Sequence, residues 1–282
     1  MALFRNRHVE VDGLRVFVRE AGDPARPTLV LLPGYPSDTR AYLRLMDRLG
    51  DDLHLVAIDY PGFGLSDPLP GSPTFDRLAG VTRDVIDSLG VTDYAIYMFD
   101  FGAPVGFRIA LEHDERVTAI ISQNGNTYTD GFGPAVAALS DWWQDREAGQ
   151  AAVDAFVSLP GTQLQWTAGA RDPQHIDPSQ ALTDQAVIDL PGRADYMKAL
   201  LWDYQNNPPR YDAWQAWLRQ RQPDVLAVWG ANDPFFVPAG AEAFTRDVPA
   251  TRVALLDTGH FALEEEVDAV ADHVRALLTR GT

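Results

Sequence analysis

Three residues, Asp100, Asp233 and His260, each follow an apolar run that reads as a β-strand. Asp100 closes Ile96-Tyr97-Met98-Phe99 and is followed by Phe101-Gly102-Ala103 and an amphipathic stretch. A carboxylate at the end of a hydrophobic strand is poorly placed for packing and well placed for chemistry. Gly102 permits the close strand-to-helix crossing of a nucleophile elbow. Serine is the usual occupant of such an elbow. Aspartate changes the reaction class, because a carboxylate suits attack on an sp³ carbon better than acyl transfer. Asp233 lies in Gly230-Ala231-Asn232-Asp233-Pro234, and His260 in Asp257-Thr258-Gly259-His260-Phe261. Nucleophile, acid and histidine in that chain order match a triad whose members gather at one edge of a doubly wound sheet.

Each member alone has a plainer reading. An aspartate after a strand serves as a helix cap or turn residue, Asp233 before proline fits a turn, and a histidine in a glycine loop can be structural. The shared strand context and the chain order favour catalysis. Asp257, three residues from His260, is a competing acid, weaker because it sits at the end of its strand.

The elements that must position these residues alternate in type. Val9–Val11 and Leu14–Arg19 flank Asp12-Gly13, a hairpin signal. Apolar runs at Thr28–Leu32, Leu53–Ile58, Tyr94–Phe99, Val117–Ser122, Val225–Trp229 and Arg252–Leu256 read as strands covered on both faces. Helical spacing appears near Arg40–Leu49, in Leu78-Val81-Val85-Ile86-Leu89, over Pro104–His113, near Ala239–Arg246 and over Glu264–Leu278. This order predicts a mostly parallel sheet with helices on both faces. Between Asn124 and about Trp217 no strand of comparable strength appears, and six tryptophans fall there, among them Trp142, Trp143 and Trp166. We read two parts: a core of residues 1–124 and 218–282, and a helical cap, or lid, of residues 125–217.

The 282 residues are 46% hydrophobic and include 7 Trp, 9 Tyr and 13 Phe, enough for a sizeable core. Forty acidic against 23 basic side chains give a formal charge of −17, a field that repels nucleic acid and anionic lipid. No run approaches the ~20 apolar residues of a membrane span, and strand-like sequence follows the N-terminus at once, so a cytoplasmic location is expected. There is no cysteine and hence no thiolate chemistry. No metal and no cofactor is called for. The expected partner is a small neutral, apolar organic substrate, and the oligomeric state is left open between monomer and homodimer.

From Val9 to Leu278 the chain resembles the α/β-hydrolase fold, and specifically its branch of epoxide hydrolases and haloalkane dehalogenases. The matching pieces are Pro33-Gly34-Tyr35-Pro36, Asp59-Tyr60-Pro61-Gly62-Phe63-Gly64-Leu65-Ser66, Asp100-Phe101-Gly102, Gly230-Ala231-Asn232-Asp233 and Gly259-His260-Phe261. The resemblance implies a mostly parallel eight-stranded sheet with a helical lid inserted after the sixth strand. It also implies Asp100 as nucleophile, His260 as base, Asp233 as its acid, and backbone N–H groups of Tyr35 and Phe101 as an oxyanion hole.

Departures from the branch bear on the leaving group. Pro33 stands where the branch has histidine, and Phe101 stands where dehalogenases have a tryptophan that holds halide. Met98 replaces a small residue two positions before the nucleophile, which suggests a slightly opened elbow. Epoxide hydrolases protonate the opening ring with lid tyrosines, and Trp202-Asp203-Tyr204-Gln205-Asn206 resembles the stretch carrying one of them. That points to Tyr204. The other is expected near Gln163-Leu164-Gln165-Trp166, where none exists, leaving Tyr196 or Tyr35 to substitute. Trp142, Trp143, Trp166 and Tyr196 are expected around the substrate.

The resulting expectation is a cofactor-free hydrolase that opens epoxides to diols through an alkyl ester on Asp100. The alternatives are carbon–halogen hydrolysis, ester or carbon–carbon hydrolysis, and a non-enzymatic small-molecule receptor on the same scaffold. Intact Asp100, Asp233 and His260 argue against the last.

Overall fold

The computed structural model describes residues 3–279. Strands β1 (Arg5–Val11) and β2 (Leu14–Ala21) form the hairpin, longer at its outer end than the sequence suggests. The chain then runs through β3 (Thr28–Leu32), α1 (Leu43–Leu49), β4 (His54–Ile58), α2 (Phe75–Ser88), β5 (Tyr94–Phe99), α3 (Gly102–Glu112) and β6 (Val117–Gln123). After six further helices it resumes with β7 (Asp224–Gly230), α10 (Ala239–Asp247), β8 (Arg252–Leu256) and α11 (Ala262–Leu278). The eight strands lie in the order β1-β2-β4-β3-β5-β6-β7-β8, antiparallel at β1/β2 and β2/β4 and parallel from there on.

Period-two alternation divides the central strands between two apolar layers. In β5, Tyr94, Ile96 and Met98 enter one core while Ala95, Tyr97 and Phe99 enter the other. Both faces are covered, so these strands are apolar throughout, as an interior parallel sheet requires. Helices α1 and α11 pack together on one face, and α2 and α3 on the other.

The insertion holds α4 (Ala137–Gln144), α5 (Arg146–Phe156), α6 (Leu159–Thr167), α7 (Pro178–Ile188), α8 (Arg193–Asp203) and α9 (Tyr211–Arg221). The expected lid boundary at 217 falls inside α9, which packs against α3 and α10 of the core. Arg40 fastens the insertion to the sheet. Its guanidinium donates to Asp38 at 2.8 Å and to Asp184 of α7 at 2.6 Å. Trp166 of α6 completes the clasp, donating Nε1–H to Asp184 at 2.9 Å and stacking on Phe261.

Two expected elements begin differently. The segment Thr39–Tyr42 is a 3₁₀ turn, and only Leu43–Leu49 is α-helical, because the Asp38 side chain caps the Arg40 N–H and tightens the entry. Helix α3 begins at Gly102, two residues before Pro104, which places the proline in its first turn.

Candidate active site

The site is built on the loops that follow β3, β5, β6, β7 and β8. Asp100 occupies the turn between β5 and α3 with φ of +50°, in the left-handed region. A non-glycine residue held there is strained, and aspartate tolerates it better than most. Met98 is accommodated beneath this elbow by the helix that follows. Its side chain is fully buried, and its space comes from Gly106 one turn into α3, where an added Cβ would lie 2.6 Å from the Met98 methyl carbon. The small residue the sequence lacks at 98 is supplied at 106.

The loop after β3 closes over the nucleophile. Gly34 lets it approach, since a Cβ there would come within 2.5 Å of Asp100 Cβ. Tyr35 N–H then donates to Asp100 Oδ1 at 2.8 Å, and Phe101 N–H donates to the same oxygen at 2.6 Å. The stretch Asp59-Tyr60-Pro61-Gly62-Phe63-Gly64-Leu65-Ser66 acts as scaffold beside it. Asp59 accepts from Thr39 N–H and Leu65 N–H, each at 2.8 Å, and Ser66 ties β2 to Asp59 through Phe17 N–H and the Asp59 carbonyl.

His260 follows β8 and is buried among Phe99, Phe235, Phe236 and Phe261. Its Nδ1 lies 2.7 Å from Asp233 Oδ2, a bond in which the imidazole N–H donates to the carboxylate and Nε2 is left facing Asp100 Oδ2 at 3.7 Å. That gap is too long for a hydrogen bond. Asp233 is in turn fixed by Phe235 N–H at 2.7 Å and by the Asn124 amide at 2.7 Å. Asp257, the rival acid, is exposed and accepts from Asn232 instead. Asn124 is the residue that sequence reasoning misses. It directly follows β6 with φ of +44°, and its Oδ1 accepts from Gly230 N–H at 2.9 Å, so it joins the ends of β6 and β7 under the acid. The available signal was a polar residue directly after an apolar strand, the same signal that marks Asp100.

Burial raises the Asp100 carboxyl to about 6, against the attraction of His260 and the two backbone donors. At His260 burial pulls the pKa down, but Asp233 and then Asp100 outweigh it and the net displacement is upward.

A cavity opens beside Asp100. Its wall is Tyr35, Phe101, Val136, Leu139, Phe156, Gln165, Leu201, Tyr204, Phe235 and Phe236, with Asp100 and His260 at one end. A wall of this kind suits a small, uncharged, largely apolar molecule. Two tyrosine hydroxyls in it, those of Tyr35 and Tyr204, are buried without a well-formed hydrogen bond. Tyr35 Oη faces the Gln165 side chain and Tyr204 Oη faces that of Tyr211, in both cases without good hydrogen-bond geometry.

The other four residues expected around the substrate are engaged away from it. Among the described residues no tryptophan lines the cavity. Trp143 sits one layer back, stacked on Tyr204 with its Nε1–H given to the Leu201 carbonyl. Trp166 gives its N–H to Asp184, and Trp142 packs edge-on against Trp202. Tyr196 donates to the Pro61 carbonyl at 2.8 Å, on the scaffold turn. The reason is common to all four: an aromatic stripe on a short lid helix is needed first to attach the lid, and only the residues left over face the cavity.

Among the described residues no helix is long and apolar enough to cross a membrane, and no group of three or more His, Asp or Glu could hold a metal ion.

Comparison with known proteins agrees with this architecture. Residues 27–267 match the α/β hydrolase fold family. An uncharacterized hydrolase of Saccharomyces cerevisiae, YNR064C, is 37% identical over 273 residues, covering 93% of each chain. Haloalkane dehalogenase 2 of Mycobacterium tuberculosis is 31% identical over 125 residues, 44% of this chain and 42% of that protein. The structure of the epoxide hydrolase CorEH superposes with a TM-score of 0.79 at 18% identity, covering 98% of this chain and 99% of that one. At that identity the likeness speaks for the fold alone.

Proposed function

The chain belongs to the α/β-hydrolase fold family, and within it we propose a cofactor-free hydrolase that opens small apolar epoxides to diols through an ester on Asp100. The observation that carries this reading is the lining of the cavity. Two tyrosine hydroxyls with no other hydrogen-bond duty line it with Asp100, and no indole N–H does among the described residues. An opening epoxide develops charge on an oxygen that must be protonated, which a hydroxyl can do. A departing halide is held by N–H donors, and the amide in this wall, that of Gln165, gives its N–H groups to the Phe156 and Gly161 carbonyls.

The two oxygens of Asp100 have separate duties in this mechanism. Oδ2 makes no backbone hydrogen bond and attacks the ring carbon, while the carbon–oxygen bond breaks and Tyr204 gives its proton to the ring oxygen. The Tyr35 hydroxyl, which lines the same cavity, assists. Oδ1 already sits against Tyr35 N–H and Phe101 N–H, so it becomes the oxyanion when water adds to Cγ of the ester. His260 Nε2 takes the water proton, and Asp233 holds the imidazole and balances its charge. The hydrolytic step therefore needs no movement of either donor.

A single turnover in ¹⁸O-water tests the covalent route. Label is expected in the Asp100 carboxylate, because water attacks Cγ and not the substrate. Label confined to the diol would mean direct attack by water and would end the ester mechanism.

A further inference from the structure

Apart from Asp100, His260 and the hydroxyls of Tyr35 and Tyr204, the cavity wall holds one polar side chain, Gln165. It belongs to Gln163-Leu164-Gln165-Trp166, the stretch in which the resemblance calls for a second lid tyrosine. An amide in an otherwise aliphatic and aromatic wall is costly unless its polar atoms find partners, and Gln165 is only 3% exposed.

The junction of α5 and α6 fixes how this amide points. Gly161 lets α6 close on the end of α5, since a Cβ there would lie 2.4 Å from the Phe156 carbonyl oxygen. Gln165 Nε2 donates to that carbonyl at 3.4 Å and to the Gly161 carbonyl at 3.2 Å. Both partners are carbonyls, so the nitrogen must face them and the oxygen must face away. Trp166, the next residue, keeps the helix in place through Asp184 and Phe261. Gln165 Oε1 accepts no well-formed hydrogen bond among the described residues, and protein atoms do not seal it in. It opens on the cavity that Gln165 lines. The Tyr35 hydroxyl, in the same wall, makes no well-formed bond to it either.

Resting on the epoxide reading, we propose that Gln165 is a specificity residue whose Oε1 accepts a hydrogen bond from a substrate hydroxyl. The preferred substrates are then epoxy alcohols, with the hydroxyl on the arm beyond the ring. A hydrocarbon arm leaves the oxygen dehydrated with no donor, which is the costly case. A protonated amine would bring an unpaired charge into an apolar wall. An amide would bring a carbonyl that competes with the ring oxygen for the tyrosine hydroxyls. A hydroxyl needs one acceptor, and Gln165 supplies it. Nothing in this contact changes as the ring opens, so it should enter KM and leave kcat alone.

Two substrate pairs test this: glycidol with 1,2-epoxybutane, and 3,4-epoxy-1-butanol with 1,2-epoxypentane. Each pair differs only in a terminal hydroxyl against a methyl. Within a pair, the ratio of kcat/KM values does not depend on the fraction of active protein. A wall without an acceptor would disfavour the alcohol on the order of 10-fold or more, through the dehydration of its hydroxyl. In wild type at least one alcohol should instead come within about threefold of its alkyl partner, or surpass it. Gln165→Leu should lower that ratio by about 10-fold through the KM of the alcohol, with the alkyl epoxide much less affected. A ratio that Gln165→Leu leaves unchanged, or a loss carried by kcat, overturns the proposal while leaving epoxide opening intact. Should Gln165→Leu not fold, the wild-type pairs decide, and alcohols poorer than about threefold in both pairs overturn it. A wild type that opens no epoxide of either kind overturns this proposal and the reading beneath it together.

Discussion

The Asn124 amide donates to Asp233 Oδ2 at 2.7 Å, the same oxygen that receives the His260 Nδ1–H at 2.7 Å. The acid that orients the base is thus itself oriented, from the end of a neighbouring strand. Asn124→Asp retains the shape and the tolerance of left-handed backbone, yet it removes the donor and sets a second carboxylate against the first. Ester hydrolysis is expected to slow by roughly 10- to 100-fold, with alkylation of Asp100 little changed. Stopped-flow measurement of the two phases checks this; equal slowing of both would place Asn124 in general scaffolding.

Deleting one hydroxyl at a time separates the two tyrosines. Tyr204→Phe should slow Asp100 alkylation by epoxide on the order of 10²-fold, and Tyr35→Phe by less, since Tyr35 still supplies its backbone N–H. Neither should affect hydrolysis of the ester once formed. Bromide release from an alkyl bromide of similar size should be slower than diol release in wild type. If bromide is released faster and Tyr204→Phe leaves it untouched, the halide reading replaces ours.

The strands and the ionisable residues at their ends were legible because burial on both faces writes a continuous apolar run, and a charge at its end stands out. Asp100, Asp233 and His260 converge for that reason. What sits in the lid was not legible. Trp142, Trp143, Trp166 and Tyr196 have the composition of a substrate pocket, yet each packs or bonds within the lid or to the core. Composition cannot say which side of a short helix is attached. The room for Met98 was not legible for a related reason: it lies at Gly106, eight residues on, where the helix after the elbow carries no side chain.

The clasp at Arg40 makes a stability prediction. Arg40→Leu leaves Asp38 and Asp184 buried together without a counter-ion, which costs about 3–5 kcal/mol in comparable cases. Burial and the nearby Asp38 already push Asp184 up to about 8, against the pull of Arg40. Where the pH is high enough to ionise Asp184, adding Asp184→Asn to Arg40→Leu should therefore recover part of the loss. Urea unfolding of the single and double variants tests it, and a single variant as stable as wild type would show that the lid is held by its apolar contacts alone.

The burial that readies Asp100 for attack also has a thermodynamic cost. Its folded-state value of about 6 lies above the ordinary carboxylate range, so between about pH 4 and 6 the unfolded chain releases a proton that the folded chain keeps. Stability from this group is accordingly lost as pH rises through that window, and the full penalty of roughly 2–3 kcal/mol is present above it. Asp100→Asn keeps an acceptor for Tyr35 N–H and Phe101 N–H, suits φ of +50°, and carries no charge. It should be inactive and yet melt higher than wild type at pH 8, with the difference shrinking as pH falls toward 4. The same protonation removes the nucleophile, so wild-type alkylation should decline on the acid side with a midpoint near pH 6. Thermal melts of both proteins at pH 4, 6 and 8 decide the matter: a gap that widens toward low pH would mean that the Asp100 carboxylate is stabilised, and not strained, by its place under the Tyr35 loop.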